Sequence, residues 1–290
     1  MFCSSSHNEL KDSINRLKEF GLDFMLIHSL IHESTDMDFP NSDSDDKYIK
    51  DFLASFTSLR LLKAEPSLNI AGLEHFKNVT TISIIMSEIR DFSRLYDFAM
   101  LEDLQLVNIE TNSCSLPFDL LSKLRGFELS SSRKCFQDLS FISNMTKLER
   151  LALCDMNLNN SDLSILSKLS KLEELVLDEN SISDLSPISS FKNLKSLSLD
   201  SNGLSSLANL NLNKNLEEIS VSNNQLHSLS DLSSYSRLTY ISANNNLIDS
   251  VSDLTAVPKL QTIEIADNPF RDRVIPEELL DIEFVVAFES

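Results

Sequence analysis

The sequence predicts an α/β solenoid: a curved sheet of parallel strands on the concave side, short helical turns on the convex side, and a helical cap at the N-terminus. The first observation is an asparagine that recurs at a constant interval of 22 residues, at Asn180, Asn202, Asn224, Asn246 and Asn268. The second is that each asparagine stands in the same frame of apolar residues, L-x-x-L-x-L-x-x-N-x-L. A fixed period of this length is typical of a solenoid, whose coils pack only on their neighbours.

Within one repeat, the L-x-L segment predicts a short strand whose two apolar side chains point inward while the residues between them face outward. The asparagine that follows turns inward, where its amide can satisfy backbone groups of its own coil and of the next coil. Those groups would otherwise be buried without a hydrogen-bond partner. The five asparagines therefore predict a structural ladder along the solenoid.

Ten repeats can be counted, five of them sharp and five eroded. Their first apolar residues are 20 to 24 residues apart, at positions 59, 79, 101, 124, 148, 172, 194, 216, 238 and 260. In three eroded repeats Ser87, Ser132 and Met156 stand where the asparagine is expected. We therefore predict degenerate repeats at 59–147 and regular 22-residue repeats at 148–281.

The N-terminal part differs from the repeats. An apolar stripe from Leu10 to Leu17 predicts one helix, and Asp23 is placed to begin a second, so residues 1–35 are predicted to be a helical cap over the first coil. Residues 36–58 are predicted to be an acidic linker and entry helix, serving either as a solvated connection or as an acidic docking tail. Five aspartates lie there, at Asp36, Asp38, Asp43, Asp45 and Asp46.

Residues 282–290 are predicted to add a truncated eleventh strand, reached through a helical turn at 276–280, because the apolar frame recurs after one further period. In that frame Phe284, Val286 and Phe288 face the concave side of the last strand. An unpaired apolar edge strand invites pairing with another chain. Three interpretations stay open: local structure covers the edge, the edge is a self-association site, or the chain is truncated there.

The composition favours a folded, soluble protein and restricts its partners. The 290 residues are 42% hydrophobic, include only four glycines and carry a formal charge of −19. Phosphate binding needs clustered lysine and arginine, so this charge argues against nucleic acid and favours a basic protein surface. No run approaches the ~18 apolar residues of a membrane span, and the start does not resemble a secretory signal, so we expect the protein in the cytoplasm or the nucleus.

No motif predicts catalysis, a cofactor or a metal. The cysteines share no short metal-ligand spacing, which predicts reduced thiols, at Cys3, Cys114, Cys135 and Cys154. There is no Gly-rich phosphate loop, no G-x-S-x-G and no H-E-x-x-H. His28 and His32 lie four residues apart beside Glu33, but packing or solvent exposure explains them better than a metal site without a third ligand.

The sharp repeats resemble the 22-residue class of leucine-rich repeats, which is found in the leucine-rich regulatory subunit of type-1 protein phosphatase and in bacterial internalins. Residues 173–188 are especially similar to the internalin consensus, including its I-x-D-L-x-P-I segment. The resemblance covers residues 148–270 well, residues 59–147 loosely and the first 58 residues not at all. It is specific for fold, because the motif residues are structural.

The two families imply different functions. The phosphatase subunits are cytosolic and acidic, as this chain is expected to be, and bind their partner through acidic and aromatic residues of the concave face. This chain has no tryptophan, so the aromatic part of such a site does not carry over. Internalins are exported, whereas this sequence shows neither an export signal nor a wall anchor.

The concave face is predicted to consist of the residues two, four, six and seven places after each repeat's first apolar residue. In the five repeats from 172 onward it contains no lysine or arginine. Its candidate partner-binding residues are Glu174, Val176, Asp178, Glu179, Asp200, Glu218, Ser220, Ser222, Tyr240, Asn244 and Glu264. Three interpretations remain: a merely solvated polar face, a docking surface for a basic protein segment with Tyr240 as its aromatic anchor, or a metal site, for which no calcium-loop motif is present.

These observations predict a non-enzymatic protein-interaction scaffold that binds a basic protein surface on the concave face. A phosphatase regulatory subunit is the leading specific version of this hypothesis. The alternatives are an internalin-like bacterial adhesin or effector, and structural self-association through the C-terminal strand.

Overall fold

The computed structural model describes residues 4–19, 22, 44–62, 73–89, 92–110, 116, 118–132, 134–189, 191–210, 214–269 and 276–285. The chain forms two compact units. The N-terminal unit comprises Met1–Glu128 with Lys134–Gln137, and the C-terminal unit comprises Leu129–Arg133 with Asp138–Ser290. Each unit contains parallel strands that follow one another in chain order.

The N-terminal unit begins with two helices, α1 over Ser4–Glu19 and α2 over Asp46–Ala54. Asp45 caps α2, because its carboxylate accepts the Tyr48 backbone N–H at 2.7 Å. Asp46 forms an ion pair with Arg16 of α1 at 3.1 Å. Two of the five aspartates predicted to lie in the linker therefore build the start of a helix. The other three, the predicted second cap helix, and His28 and His32 lie outside the described residues.

Three strands of this unit are β1 over Ser58–Leu62, β2 over Thr81–Ile85 and β3 over Asp103–Val107. Between them lie 3-10 turns at Leu73–His75 and Ser93–Asp97. The short helix α3 at Phe118–Leu121 precedes β4, which spans Gly126–Ser130 at the boundary of the two units. Alternate residues of β2 and β3 are buried, as the strand period of two requires.

The predicted register of the first repeat is wrong by three residues. Strand β1 pairs with β2 through Leu59↔Ile82 and Leu61↔Ile84, so the first repeat begins at Phe56 rather than at Leu59. Phe56 is buried and packs edge-on against the rings of Phe52 and Phe76, with centroids 5.2 and 6.2 Å away. The sequence misleads here because Leu59, Leu62 and Ala64 reproduce the same spacing by chance, while a phenylalanine occupies the true first position.

The C-terminal unit repeats one coil with little variation. Its strands pair in parallel at equivalent repeat positions, for example Leu175↔Leu197 and Leu197↔Ile219. The strands are β5 over Arg150–Cys154, β6 over Glu174–Val176, β7 over Ser196–Ser198, β8 over Glu218–Ser220, β9 over Tyr240–Ser242, β10 over Thr262–Glu264 and β11 over Glu283–Val285. The returning segments contain 3-10 turns at Ser140–Asn144, Asp162–Lys168, Ser186–Ile188, Ala208–Leu210, Ser230–Leu232, Ser252–Ala256 and Glu277–Leu279. The predicted solenoid fold is confirmed.

The frame leucines form the core of this unit. Leu172, Leu175 and Leu177 are fully buried, and so are their counterparts in the neighbouring coils. At the C-terminal end, β11 lies where the eleventh strand was predicted, but the predicted register is wrong by one residue. Phe284 pairs with the buried Ile263 of β10, whereas Glu283 and Val285 pair with Thr262 and Glu264, so Phe284 does not stand at a concave-face position. The side chain of Phe284 is not described, and Val286 and Phe288 lie outside the described residues. The predicted assembly role of this edge stays a prediction.

One backbone feature recurs in both units. Ten described residues other than glycine have a positive φ, and nine of them stand seven places after the first apolar residue of their repeat. Their φ angles lie between 49° and 57°, at Met86, Asn108, Ser131, Asp155, Glu179, Ser201, Asn223, Asn245 and Asp267. This left-handed residue turns the chain from the strand towards the inward-pointing position that follows it. Its N–H still bonds the next coil, as from Glu179 to the Asp200 carbonyl at 2.8 Å.

Candidate functional site

Two rows of side chains cross the concave face of the C-terminal unit. The strand register aligns the first row across β6 to β10, as Glu174, Ser196, Glu218, Tyr240 and Thr262. It aligns the second row as Val176, Ser198, Ser220, Ser242 and Glu264. Glu218 is exposed and the other carboxylates of these rows are half-buried.

On the inner side, the asparagine amides bind backbone groups in one repeated pattern. Asn202 Nδ2 donates to the carbonyls of Leu199 at 3.1 Å and Leu177 at 3.0 Å, and its Oδ1 accepts the Ile182 N–H at 3.0 Å. The same contacts recur at Asn180, Asn224, Asn246 and Asn268. Each amide therefore bridges its own coil and the preceding coil, not the following coil that the sequence suggested.

A second ladder lies at position six of the repeats, on the concave face itself. Asp178 Oδ1 accepts the Asp200 N–H at 2.9 Å and the Ser198 hydroxyl at 2.7 Å. Asp200 Oδ1 accepts the Ser222 N–H at 2.7 Å and the Ser220 hydroxyl at 2.7 Å. One carboxylate oxygen thus accepts both a backbone N–H and a serine hydroxyl of the following coil.

The next two residues of this second ladder, which we call the outer ladder, are uncharged. Ser222 Oγ accepts the Asn244 N–H at 3.1 Å, and Asn244 Oδ1 accepts the Ala266 N–H at 2.7 Å. Four of the candidate partner-binding residues, Asp178, Asp200, Ser222 and Asn244, therefore hold adjacent coils together. This role was not predicted, although the sequence carries a signal for it: in four successive repeats position six is Asp, Asp, Ser and Asn, which are residue types that accept bonds from backbone N–H groups.

Burial and like charges perturb two groups of this face. The pKa of Asp200 is raised, first by burial and then by the neighbouring Asp178 and Glu264 carboxylates, although the bonds from Ser220 and Ser222 act in the opposite direction. The pKa of Tyr240 is raised by burial and by the Glu264 carboxylate beside it. Glu264 is itself held in place, because its Oε2 accepts Ser242 Oγ and Asn244 Nδ2, each at 3.2 Å.

Other charged groups of the face remain available. Within the part of the chain that the structure describes, the side chains of Glu174, Glu179 and Glu218 have no hydrogen-bond or ion-pair partner. Glu174 pairs in register with Arg150 of β5, the cation at the near end of the first row. The described residues include no group of three His, Cys, Asp or Glu side chains placed to hold a metal. No described helix is long and apolar enough to cross a membrane.

Comparisons with known proteins agree with this architecture. A family model described as "Leucine Rich repeats (2 copies)" matches residues 214–256. An internalin (InlF) from Listeria monocytogenes matches with a TM-score of 0.58 and 19% identity, over 92% of this chain and 96% of that chain. The functional domain of InlJ from the same organism matches with a TM-score of 0.53 and 20% identity, over 82% of this chain and 54% of that chain. No curated protein matches the chain by sequence.

The fold and its comparisons define the class. The protein is a leucine-rich-repeat protein whose repeat region resembles those of internalins. Repeat proteins of this kind present extended faces for binding other proteins.

Proposed function

We propose that the C-terminal unit binds a basic protein segment on its concave face. The observation that carries the proposal is the composition of the first row. Glu174 and Glu218 lie on either side of Ser196, Tyr240 follows Glu218, and the row contains no lysine or arginine from β6 to β10. The carboxylates of Glu174, Glu179 and Glu218 are not engaged by other described residues. They are therefore free to pair with lysine or arginine of a partner.

The charges of the concave face favour a basic partner both at long range, during encounter, and at close range, in the complex. Carboxylates of one sign along a row raise the rate of encounter with a cationic segment. At close range, a half-buried tyrosine beside Glu218 offers an aromatic face to a cation, a contact worth about 0.5–2 kcal/mol. Because Asp178, Asp200, Ser222 and Asn244 already hold the coils together, we assign recognition to Glu174, Glu179, Glu218 and Tyr240, with Val176 and Ser220 lying between them.

Affinity capture with charge-reversed variants tests the proposal. The double variant Glu174→Lys/Glu218→Lys is expected to lose a basic partner that the unaltered protein retains. The matched control is Asp249→Lys/Glu277→Lys, which makes the same change in net charge at exposed positions away from the concave face. If both variants lost the partner equally, the loss would be explained by net charge alone, and the proposal would be wrong.

The specific partner we propose to test first is the catalytic subunit of type-1 phosphatase, on the basis of the 22-residue repeat and an expected cytoplasmic or nuclear location. Purified phosphatase that fails to bind the unaltered protein would exclude this version while leaving the general proposal standing. Recovery of the protein at a bacterial surface or in the culture medium would instead favour an adhesin or effector.

A further inference from the structure

Over residues 138–269 of the C-terminal unit, the cations are segregated along one edge of the strands. Residues 138–269 contain nine lysines and arginines, and all nine lie between four places before and two places after the first apolar residue of a repeat. In the five coils that start at 148, 172, 194, 216 and 238, no cation occurs from three to seventeen places after that residue; the coil that starts at 260 departs from this pattern, with Arg271 and Arg273. The opposite edge of the strands carries only acidic charges, such as Asp155, Glu179 and Asp267.

Six of the nine cations form a regular series, which we name the basic row. One occurs in each of six successive coils, in the exposed turn that leads into the strand, at Lys147, Lys171, Lys192, Lys214, Arg237 and Lys259. In four coils the cation stands one place before the first apolar residue. In the other two, Asn193 and Asn215 take that place, and the lysine stands one position earlier.

Those two asparagines explain the shift. Asn193 Nδ2 donates to the Ser170 carbonyl at 2.9 Å, and Asn215 Nδ2 donates to the Lys192 carbonyl at 3.0 Å. Each amide therefore fastens its turn to the preceding coil and replaces the lysine at that place. A lysine is nevertheless present one position earlier in the same turn, so each of the six coils contributes one cation to the row.

The row is exposed and largely unpaired. Among the residues that the structure describes, its five lysines form no ion pair. The off-row Lys195, by contrast, lies 2.6 Å from the Glu173 carboxylate, which raises the pKa of Lys195. Arg237 is oriented along the row, because its Nη1 donates to Asn215 Oδ1 at 2.9 Å.

The dimensions of the row restrict its partner. Neighbouring parallel strands are about 4.8 Å apart, so six coils spread their cations over roughly 24 Å. On the strand side the row is bordered by Glu149, Glu173 and Glu217, each one place after a first apolar residue. A lipid surface or a nucleic-acid duplex is broad enough to meet these carboxylates as well as the lysines, whereas a single narrow chain segment is not.

We infer that the basic row binds an acidic helical segment of a partner protein, with carboxylates repeated every three or four residues. On a helix such side chains are about 5–6 Å apart, close to the spacing of the coils. A helix that matches the row contains on the order of 16 residues, since each residue adds about 1.5 Å. This site lies outside the proposed concave-face site and takes a partner of the opposite charge.

Fluorescence anisotropy with a labelled 18-residue peptide tests the inference. The peptide carries glutamate at i, i+4 spacing, and its isomer of the same composition carries the glutamates in one block. Protein with Lys171→Gln, Lys192→Gln and Lys214→Gln is expected to bind the periodic peptide about tenfold more weakly, because three exposed ion pairs are lost and each contributes only a few-fold to the affinity. The block isomer is expected to bind the unaltered protein more weakly than the periodic peptide does.

The matched control is Arg150→Gln/Lys168→Gln/Lys195→Gln, which removes the same charge from the same unit outside the row. It is expected to retain the affinity of the unaltered protein. Equal losses in the row and off-row variants would overturn the inference. Vesicles with anionic lipid or duplex DNA that bound more tightly than the peptide, with the same dependence on the row, would overturn the assignment of the partner.

Discussion

The carboxylate of Asp178 accepts the backbone N–H of Asp200, its counterpart one repeat later, at a distance of 2.9 Å. Asp200 makes the same bond to Ser222 at 2.7 Å. Acidic residues that the sequence assigned to partner binding thus connect adjacent coils. The asparagine ladder inside the solenoid has a polar counterpart on the concave face. Each coil in this region is therefore bonded to the next both by the asparagine ladder inside the solenoid and by the second ladder on the concave face.

Replacing Asp200 by alanine is expected to destabilise the protein by about 1–3 kcal/mol, because the Ser222 N–H and the Ser220 hydroxyl lose their acceptor. Asp200→Asn is expected to cost much less, since Asn244 accepts the equivalent bond at the same repeat position. Urea unfolding measures both variants. An alanine variant as stable as the unaltered protein would show that the outer ladder does not contribute to stability.

Stability should depend on pH through Asp200. Its pKa in the folded protein is raised above the usual aspartate value of 3.8, so the folded state binds this proton more readily than the unfolded state does. The resulting stabilisation is fully present below the unfolded pKa and is lost as the pH rises through the folded pKa. Relative to Asp200→Asn, the unaltered protein is therefore expected to gain stability as the pH falls from neutral through the raised pKa towards 3.8.

Asp184 provides a control of opposite sign. Hydrogen bonds from Ser186 and Asn209 lower its pKa, so its contribution is present above the unfolded pKa and is lost as the pH falls through the folded pKa. Unfolding experiments at several pH values, on Asp200→Asn and Asp184→Asn in parallel, should show opposite trends. Parallel trends would contradict the assigned environments.

The inner ladder predicts a larger effect for Asn202 than for an asparagine on the surface. Asn202→Ala is expected to destabilise by about 1–3 kcal/mol, because backbone groups of two coils lose their partner. Asn144→Ala, at an exposed position, should change stability by less than about 0.5 kcal/mol. Similar values for the two variants would show that the amide ladder is dispensable.

Among the residues with a left-handed backbone conformation, Met86 is one whose replacement is expected to stabilise the protein. Met86 has a φ of 49° and is 47% exposed, so its side chain gains little from packing while its backbone is strained. Met86→Asn is expected to stabilise the N-terminal unit by about 0.5–1 kcal/mol, because asparagine tolerates this conformation better than methionine does. The control is Met100→Asn, which is also exposed but has no positive φ; a gain of the same size there would refute the explanation. Thermal unfolding measures both.

The terminal strand predicts concentration-dependent self-association if its free side pairs with a second copy. Sedimentation of the unaltered protein over a range of concentrations measures this, and Val286→Lys is expected to abolish it. Glu283→Lys, at an exposed position of the same strand, is the control. A monomer at every concentration would remove the edge as an assembly site.

The repeat fold was predictable from the 22-residue interval because each coil contacts only its neighbours, so one local pattern specifies the architecture many times over. The prediction failed where the pattern was ambiguous. At the first repeat, Leu59 and Leu62 imitate the frame, and only the pairing of Leu59 with Ile82 shows that Phe56 begins the coil.

By itself the sequence determined the period, the buried apolar frame and the places of the ladder asparagines, because these follow from the strand period and from the need to satisfy buried backbone groups. Only the tertiary structure decided which acidic side chains of the concave face are available to a partner. Asp178 and Glu174 have similar side chains and lie four residues apart, yet Asp178 bonds the next coil and Glu174 does not. That difference depends on contacts between residues 20 to 22 positions apart, which come together only when the coils stack.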